Sequence, residues 1–222
     1  MHYARKTRVL LAALLVFGLP AAAAAQSSEF SVDLHGGLSA PTGTLGDLTT
    51  TGGAYGAGLV WHATDRLAVR GDFLRNILDN GLSDTGLLLS PPVELTFFGG
   101  AFELNFGSPM YQDLPLTFAF SVGAGMTKFD VDETFSATHP ANGLDDSYLT
   151  FTFGGQLGFQ VIRQGSARLN IFAKVQPNLI LVDSFDMSPY SQLLGTDPFD
   201  SILVVPVTFG VRVTFGGDGT GP

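Results

Sequence analysis

The sequence contains no cysteine among its 222 residues. It therefore has no disulfide framework and no lipobox cysteine that could carry an acyl anchor. It also lacks the sequence patterns of a phosphate-binding loop, a zinc site and a nucleophile elbow. No catalytic residue, metal ligand or cofactor is predicted.

Charge is scarce, and positive charge is scarcer still. Charged residues make up 14% of the chain, against about 25% in typical soluble domains. Lysine and arginine number 11 against 20 acids, which gives a net charge of −9. Because nucleic-acid binding needs a basic face, nucleic acid is excluded as a partner.

The N-terminus has the pattern of a cleaved signal peptide, residues 1–25. Arg5, Lys6 and Arg8 precede an apolar run, Val9 to Leu19, that is too short to span a bilayer as a helix. Small residues before Gln26 form a cleavage site. An uncleaved membrane anchor is the alternative interpretation.

After residue 25 the sequence shows almost no helical periodicity, and eight runs alternate between apolar and polar residues. The last run is the clearest, because one face of Ile202 to Phe215 is wholly apolar. In the fourth run the apolar parity changes midway, which predicts a one-residue bulge near Gly99 and Gly100. The runs are Phe30 to Leu38, Tyr55 to Ala63, Arg66 to Ile77, Val93 to Phe106, Pro115 to Lys128, Tyr148 to Val161, Ala167 to Val182 and Ile202 to Phe215.

The connections between runs alternate between long and short, as in outer-membrane barrels with long extracellular loops and short periplasmic turns. The sequence therefore predicts an all-β fold, an eight-stranded antiparallel up-and-down transmembrane β-barrel over residues 26–215, with both termini periplasmic. Residues 216–222 are predicted to form a disordered tail.

Alternation alone does not say which face is outside, because a soluble lipocalin-like barrel has the same period with its apolar face inward. The polar parity is rich in Gly, Ser, Thr, Gln and Asn rather than Lys and Glu, which favours a packed polar interior. Arg75 and Lys128 are the exceptions on the apolar parity, and both lie at extracellular strand ends. Aromatic side chains at strand ends are predicted to form interfacial girdles. The periplasmic girdle is Phe30, Trp61, Phe106, Phe159 and Phe215, and the outer one is Tyr55 and Phe97.

Together the signal peptide, the eight alternating runs and the final VRVTF resemble the OmpA-like family of small outer-membrane barrels, including opacity-type and OmpW-type proteins. The resemblance implies location in a bacterial outer membrane, with lipid and lipopolysaccharide as partners. It further implies that Phe209, Val211, Val213 and Phe215 form the signal read by the barrel-insertion machinery. The tail after Phe215 departs from many relatives, and no peptidoglycan-binding domain is present.

The interior of an eight-stranded barrel is just filled by side chains, so a broad pore is not expected. Charges on the inward parity balance, and buried charges need partners. Asp33 and Arg212 have similar heights on the first and last strands, as do Arg70 and Glu103 on the third and fourth. The predicted lumen network comprises Asp33, Arg70, Asp72, Glu94, Glu103, Arg168, Lys174 and Arg212. It either plugs and stiffens the lumen or acts as a gate that switches partners to pass small solutes.

The long connections are acidic and contain no lysine or arginine. Their carboxylates would attract cations, and divalent ions could bridge them to lipopolysaccharide phosphates. The alternative is a solvated, solubilising surface. These acids are Asp47, Asp79, Asp84, Asp130, Asp132, Glu133, Asp145, Asp146, Asp183, Asp186, Asp197 and Asp200.

Three functions are compatible with these patterns. The leading hypothesis is a structural or surface-contact protein of the cell envelope with a plugged lumen. The first alternative is a narrow, porin-like conduit for small or apolar solutes. The second is a lipid-modifying enzyme, which needs a nucleophile beside a base. Neither His35 nor His62 has an obvious serine partner at matching height, so a hydrogen-bonding role in the lumen is expected for such a lone histidine.

Overall fold

A computed structural model describes residues 29–43, 45–46, 49–64, 66–80, 93–107, 116–131, 147–164, 167–182 and 201–216. Almost all of them lie in nine β-strands. The strands are β1 Glu29–Thr42, β2 Thr49–His62, β3 Leu67–Asn80, β4 Val93–Gly107, β5 Leu116–Val131, β6 Ser147–Gln164, β7 Ala167–Val175, β8 Asn178–Leu181 and β9 Ser201–Phe215.

The strands form one antiparallel sheet that closes on itself. Each strand from β1 to β7 pairs with the next, except that β7 and β8 both pair with β6 and β9. β1 then pairs with β9 from Phe30–Phe215 to Thr42–Leu203. The chain thus enters and leaves at the same end, here called the terminal end, and the opposite one is the loop end. β7 and β8 follow each other along the same path between β6 and β9 and together take the place of one strand. The predicted eight-stranded up-and-down barrel is therefore confirmed.

Proline explains why the predicted seventh strand is two strands. Pro177 has no N–H to donate, and neither does Pro206, which lies on β9 beside it. The pairing nevertheless continues through the break, since Gln176 N donates to Pro206 O at 3.0 Å and Phe153 N donates to Pro177 O at 3.0 Å.

The connections alternate largely as predicted. At the terminal end they are short, spanning 63–66, 108–115 and 165–166, whereas at the loop end three of them span 81–92, 132–146 and 182–200. The first connection is an exception. It is predicted as Pro41 to Gly53 but spans only 43–48, because β1 and β2 extend further than their apolar alternation does. The predicted signal peptide and the tail residues 217–222 lie outside the described residues.

Side chains alternate between a buried inner face and an exposed outer face along the strands, and the outer face is apolar. Phe209 is 66% exposed and Leu38 is 62% exposed. Of the aromatic residues predicted at the terminal end, Phe30, Phe106, Phe159 and Phe215 are exposed there and Trp61 is half-buried. Within the described part of the chain, no helix has the length and hydrophobicity needed to cross a membrane.

The predicted bulge near Gly99 and Gly100 is wrong. β4 keeps one register through this point with both β3 and β5, while irregular pairing occurs instead at Thr50/Gly53 and Gln160/Ile162. Without a bulge, Leu95 and Phe97 point inward and are almost fully buried, whereas Phe98 is 57% exposed. Phe97 is therefore not part of an outer girdle.

Two glycines make room for the inward ring of Phe97. A Cβ added to Gly125 would lie 2.6 Å from Phe97 Cε2, and one added to Gly99 would clash with the same ring. Because close packing leaves no other space, Gly99, one of the two glycines at the predicted bulge, and Gly125 form a slot for an aromatic ring.

The interior is polar only in part, which corrects the predicted polar lumen. Towards the loop end the inward side chains are apolar and form a cluster that we call the apolar plug. In it, the rings of Phe129 and Tyr148 meet edge to face at 5.4 Å. The plug consists of Leu45, Leu78, Leu95, Phe129, Tyr148, Ile180, Val182, Ile202 and Val204. Phe97, Leu74 and Ala54 form a second apolar cluster.

The register of β4 can be tested with single cysteines, because the native chain has none. We expect Phe98→Cys to be labelled by a small, membrane-permeant maleimide in detergent micelles and Phe97→Cys to be protected, since position 98 faces the detergent and position 97 the packed interior. Denatured samples of both variants serve as the control for reactivity. Preferential labelling of position 97 would contradict this register and support the bulge.

Candidate functional site: a sealed lumen

The terminal half of the lumen holds a network of buried charges. Its members come from five strands, because inward positions on each strand converge inside a barrel of this size. Six charged side chains belong to it, and each is at most 7% exposed. They are Asp33 on β1, Arg70 and Asp72 on β3, Glu103 on β4, Lys174 on β7 and Arg212 on β9.

Arg212 joins the first, fourth and last strands. Its Nε and Nη2 donate to the two oxygens of Asp33 at 2.7 and 2.9 Å. Its Nη1 and Nη2 donate to Glu103 at 2.9 and 3.2 Å, and Nη2 also reaches Gln156 Oε1 at 3.3 Å. Asp33 and Arg212 are direct register partners, so the closing seam of the barrel carries a bidentate ion pair, the strongest form of this interaction.

Arg70 makes the second set of contacts. Its Nε and Nη2 donate to Asp72 at 2.8 and 2.7 Å, and its Nη1 donates to Glu103 Oε2 at 2.6 Å. Its Nη2 also reaches Asp33 Oδ2 at 3.3 Å. Asp33 and Glu103 therefore bridge the two guanidinium groups. The matched heights of Asp33 with Arg212 and of Arg70 with Glu103 correspond to direct contacts.

Lys174 is the third cation and the least well bonded. Its Nζ lies 3.6 Å from Asp72 Oδ1 and has no hydrogen-bond partner among the described residues. Beside it is a narrow void without room for a water molecule. Arg70, Glu103, Ser121 and Gln156 also line this void.

Three cations and three carboxylates make the network neutral. A buried charge without a partner costs several kcal/mol, whereas a balanced and hydrogen-bonded set offsets most of that cost. The network lies in the terminal half of the barrel interior, and the apolar plug lies in the loop half.

Two residues predicted for the network lie elsewhere. Glu94 is on the outer face, where it accepts a hydrogen bond from Arg75, because β4 has no bulge to turn it inward. Arg168 is on the inward parity but at the rim of the terminal end. There it pairs with Glu29, and its side chain is 32% exposed.

The histidines differ from expectation. His35 is buried with its ring 6.2 Å from that of Phe172, and neither of its ring nitrogens has a hydrogen-bond partner among the described residues. His62 does have a serine partner, because Ser31 Oγ lies 2.8 Å from His62 Nε2. Comparing the heights of residues along their strands did not predict this contact. Ser31 and His62 nevertheless share the inward parity at the terminal end of adjacent strands. Ser31 is fully buried and also bonds Thr214 Oγ1 at 2.8 Å, a geometry that ties three strands together.

The remaining predicted residues are placed as follows. The insertion-signal residues Phe209, Val211 and Phe215 are exposed on the outer face of β9, and Val213 is half-buried there. Of the acidic connection residues, Asp130 ends up on the outer face of β5. Asp79 lies near the loop end of β3, where it pairs with Thr50, and the other ten fall outside the described residues. Among those described, no group of three or more acidic or histidine side chains could hold a metal ion.

A closed antiparallel barrel of eight strand positions with an apolar outer face is the fold of small outer-membrane β-barrel proteins. Comparison with solved structures supports this assignment at the level of the fold. The crystal structure of Neisserial surface protein A matches with a TM-score of 0.52 and 12% identity, over 84% of this chain and 96% of that one. The predicted resemblance to OmpA-like barrels is thereby confirmed for the fold.

Two further solved structures are similar. The outer membrane protein OprG from Pseudomonas aeruginosa matches with a TM-score of 0.45 and 12% identity, over 87% of this chain and 96% of that one. AlkL, solved by solid-state NMR in lipid bilayers, matches with a TM-score of 0.43 and 16% identity, over 88% and 92%. No protein-family model matches the chain, and no curated protein does.

The network makes a prediction about stability. Arg212→Met removes one partner of buried ion pairs, so we expect it to lower the free energy of unfolding by about 3–5 kcal/mol. Arg168→Met removes a partly exposed pair at the rim and is expected to cost less than about 1 kcal/mol. Urea titration of refolded protein in detergent micelles measures both.

A paired substitution distinguishes charge balance from lost packing. Arg212→Met combined with Asp33→Val leaves two cations and two carboxylates, so it should lose less stability than Arg212→Met alone. If the double variant is the less stable of the two, charge balance does not hold the network together.

Proposed function

We propose that this chain is an integral outer-membrane protein with a structural or surface-contact role, and that its lumen does not conduct. The apolar outer face suits acyl chains, and a barrel leaves no unpaired backbone edge in a medium without water. In this proposal the termini are periplasmic and the loop end faces outward.

One observation carries the proposal, namely that buried side chains are packed in both halves of the described interior. A conduit needs a continuous path, whereas here six ion-paired side chains occupy the terminal half and the apolar plug occupies the loop half. The outside of the molecule and its loop end are then the surfaces left for contact. Its partners in this proposal are outer-membrane lipid, the insertion machinery that reads the end of β9, and cations attracted to the acidic loops.

The same geometry supports a non-enzymatic role. Ser31 contacts His62, as a serine nucleophile contacts its base, but Ser31 is too deeply buried for a substrate to reach it. A nucleophile must reach the reacting atom, so this contact suits wall packing instead.

Conductance tests the sealed lumen. We expect folded protein, verified by heat-modifiable gel migration, to produce no stable current steps in a planar bilayer. A variant with Leu95, Phe97 and Phe129 all changed to Ala thins the apolar packing. A variant with Glu103→Ala and Arg212→Ala opens the network. Combining all five substitutions should produce current and so shows that the assay can detect an open lumen.

Stable steps in the native protein would overturn the proposal. If Arg70→Ala or Arg212→Ala alone then changes their size, the network is a gate and the narrow conduit is the better description.

A further inference from the structure

The outer face changes character abruptly near the loop end, along one row of register partners. Tyr55 pairs with Arg75, Arg75 with Thr96, and Thr96 with Lys128. All four positions have the outward parity, and the side chains of Arg75 and Lys128 are 37% and 51% exposed. We call these four residues the polar row.

The next outward row towards the terminal end is wholly apolar. Ala57, Phe73, Phe98 and Met126 are successive register partners there. The rings of Phe73 and Phe98 lie 5.1 Å apart, and Phe98 is one of the most exposed aromatic side chains of the barrel. Acyl chains would pack on this row, so the polar row lies where a lipid headgroup begins.

The outward row on the other side carries the acids. Glu94 and Asp130 are direct register partners on β4 and β5, and like charges placed opposite each other repel. Arg75 bonds Glu94, and Lys128 Nζ lies 3.9 Å from Asp130 Oδ2. Moving outward, the surface therefore runs from apolar to cationic to anionic. The same order complements acyl chains, then phosphates, then the cations that gather around phosphates.

The spacing of the two cations narrows the choice of lipid. One strand separates Arg75 from Lys128, which places their backbones roughly 10 Å apart. In the register Thr96 lies between them, and Tyr55 lies beside Arg75. Two separated cations with one hydroxyl residue between them suit a headgroup with two phosphates at the ends of a disaccharide. A glycerophospholipid carries one phosphate and would engage one cation at a time.

We propose that the polar row binds the diphosphorylated disaccharide of lipid A, with Arg75 and Lys128 each contacting one phosphate and the acyl chains covering Phe73 and Phe98. This inference rests on the proposed outer-membrane location with the loop end outward. It adds a defined lipid site on one side of the barrel wall to that proposal.

The test uses the purified, refolded full chain in detergent micelles, with lipid binding followed by native mass spectrometry. We expect diphosphoryl lipid A to bind more tightly than monophosphoryl lipid A, and both more tightly than phosphatidylglycerol. Arg75→Gln and Lys128→Gln should each weaken binding of diphosphoryl lipid A by about tenfold, since each removes a charge-assisted contact. The double variant should bind it no better than phosphatidylglycerol.

Two variants serve as controls. Arg163→Gln removes an exposed arginine at the terminal end and should leave binding unchanged. Arg75→Lys keeps the charge and should retain most of the affinity. Gel migration shows whether each variant is folded, so failure of this site is distinguishable from failure of the barrel proposal.

Equal affinity of the native protein for phosphatidylglycerol and diphosphoryl lipid A would overturn the proposal. So would undiminished lipid A binding by the folded double variant, which would place the lipid elsewhere on the wall. A loss of equal size in Arg163→Gln would show that total charge, rather than the polar row, determines binding.

Discussion

The structure depends on one constraint, that the backbone N–H and C=O groups of every strand find partners on both sides and leave no free sheet edge. Closure of β1 on β9 meets it, because the pairing runs without a shift from Phe30–Phe215 to Thr42–Leu203. Closing eight positions also fixes the width of the interior, which side chains alone can fill. The backbone requirement therefore determines that the inside is a packed core rather than a channel.

The two halves of that core are packed with different kinds of side chain. In the terminal half, the closing seam carries Asp33 and Arg212, and their contacts extend to Glu103 and Arg70 across the lumen. In the loop half, glycines leave room for the inward ring of Phe97, and the apolar plug lies beyond it. Neither half needs the other's residue types, so the two can differ without disturbing the regular wall around them.

Much of this was predictable from the sequence, because strand alternation has an invariant period of two. Parity and height predicted the barrel and the contacts Asp33–Arg212 and Arg70–Glu103. Parity failed where both faces are apolar. Leu95 and Phe97 point inward, but their residue types match those of the outer face, and Glu94 was misassigned with them. Arg168 shows a second limit, because parity gives the face of a strand but not the depth in the lumen. The bonds of Arg70 to Asp72 and of Ser31 to His62 depend on how far each side chain extends. The periodicity of a strand carries no information about that distance.

Neutrality of the lumen network has an electrical consequence. An unbalanced charge inside a membrane experiences a force from a transmembrane potential, worth about 2.3 kcal/mol per elementary charge per 100 mV. Here three positive and three negative groups contact one another in the terminal half of the barrel, and the pulls on them cancel. In the proposed membrane location, a voltage can thus polarise this core but exerts no net force on it.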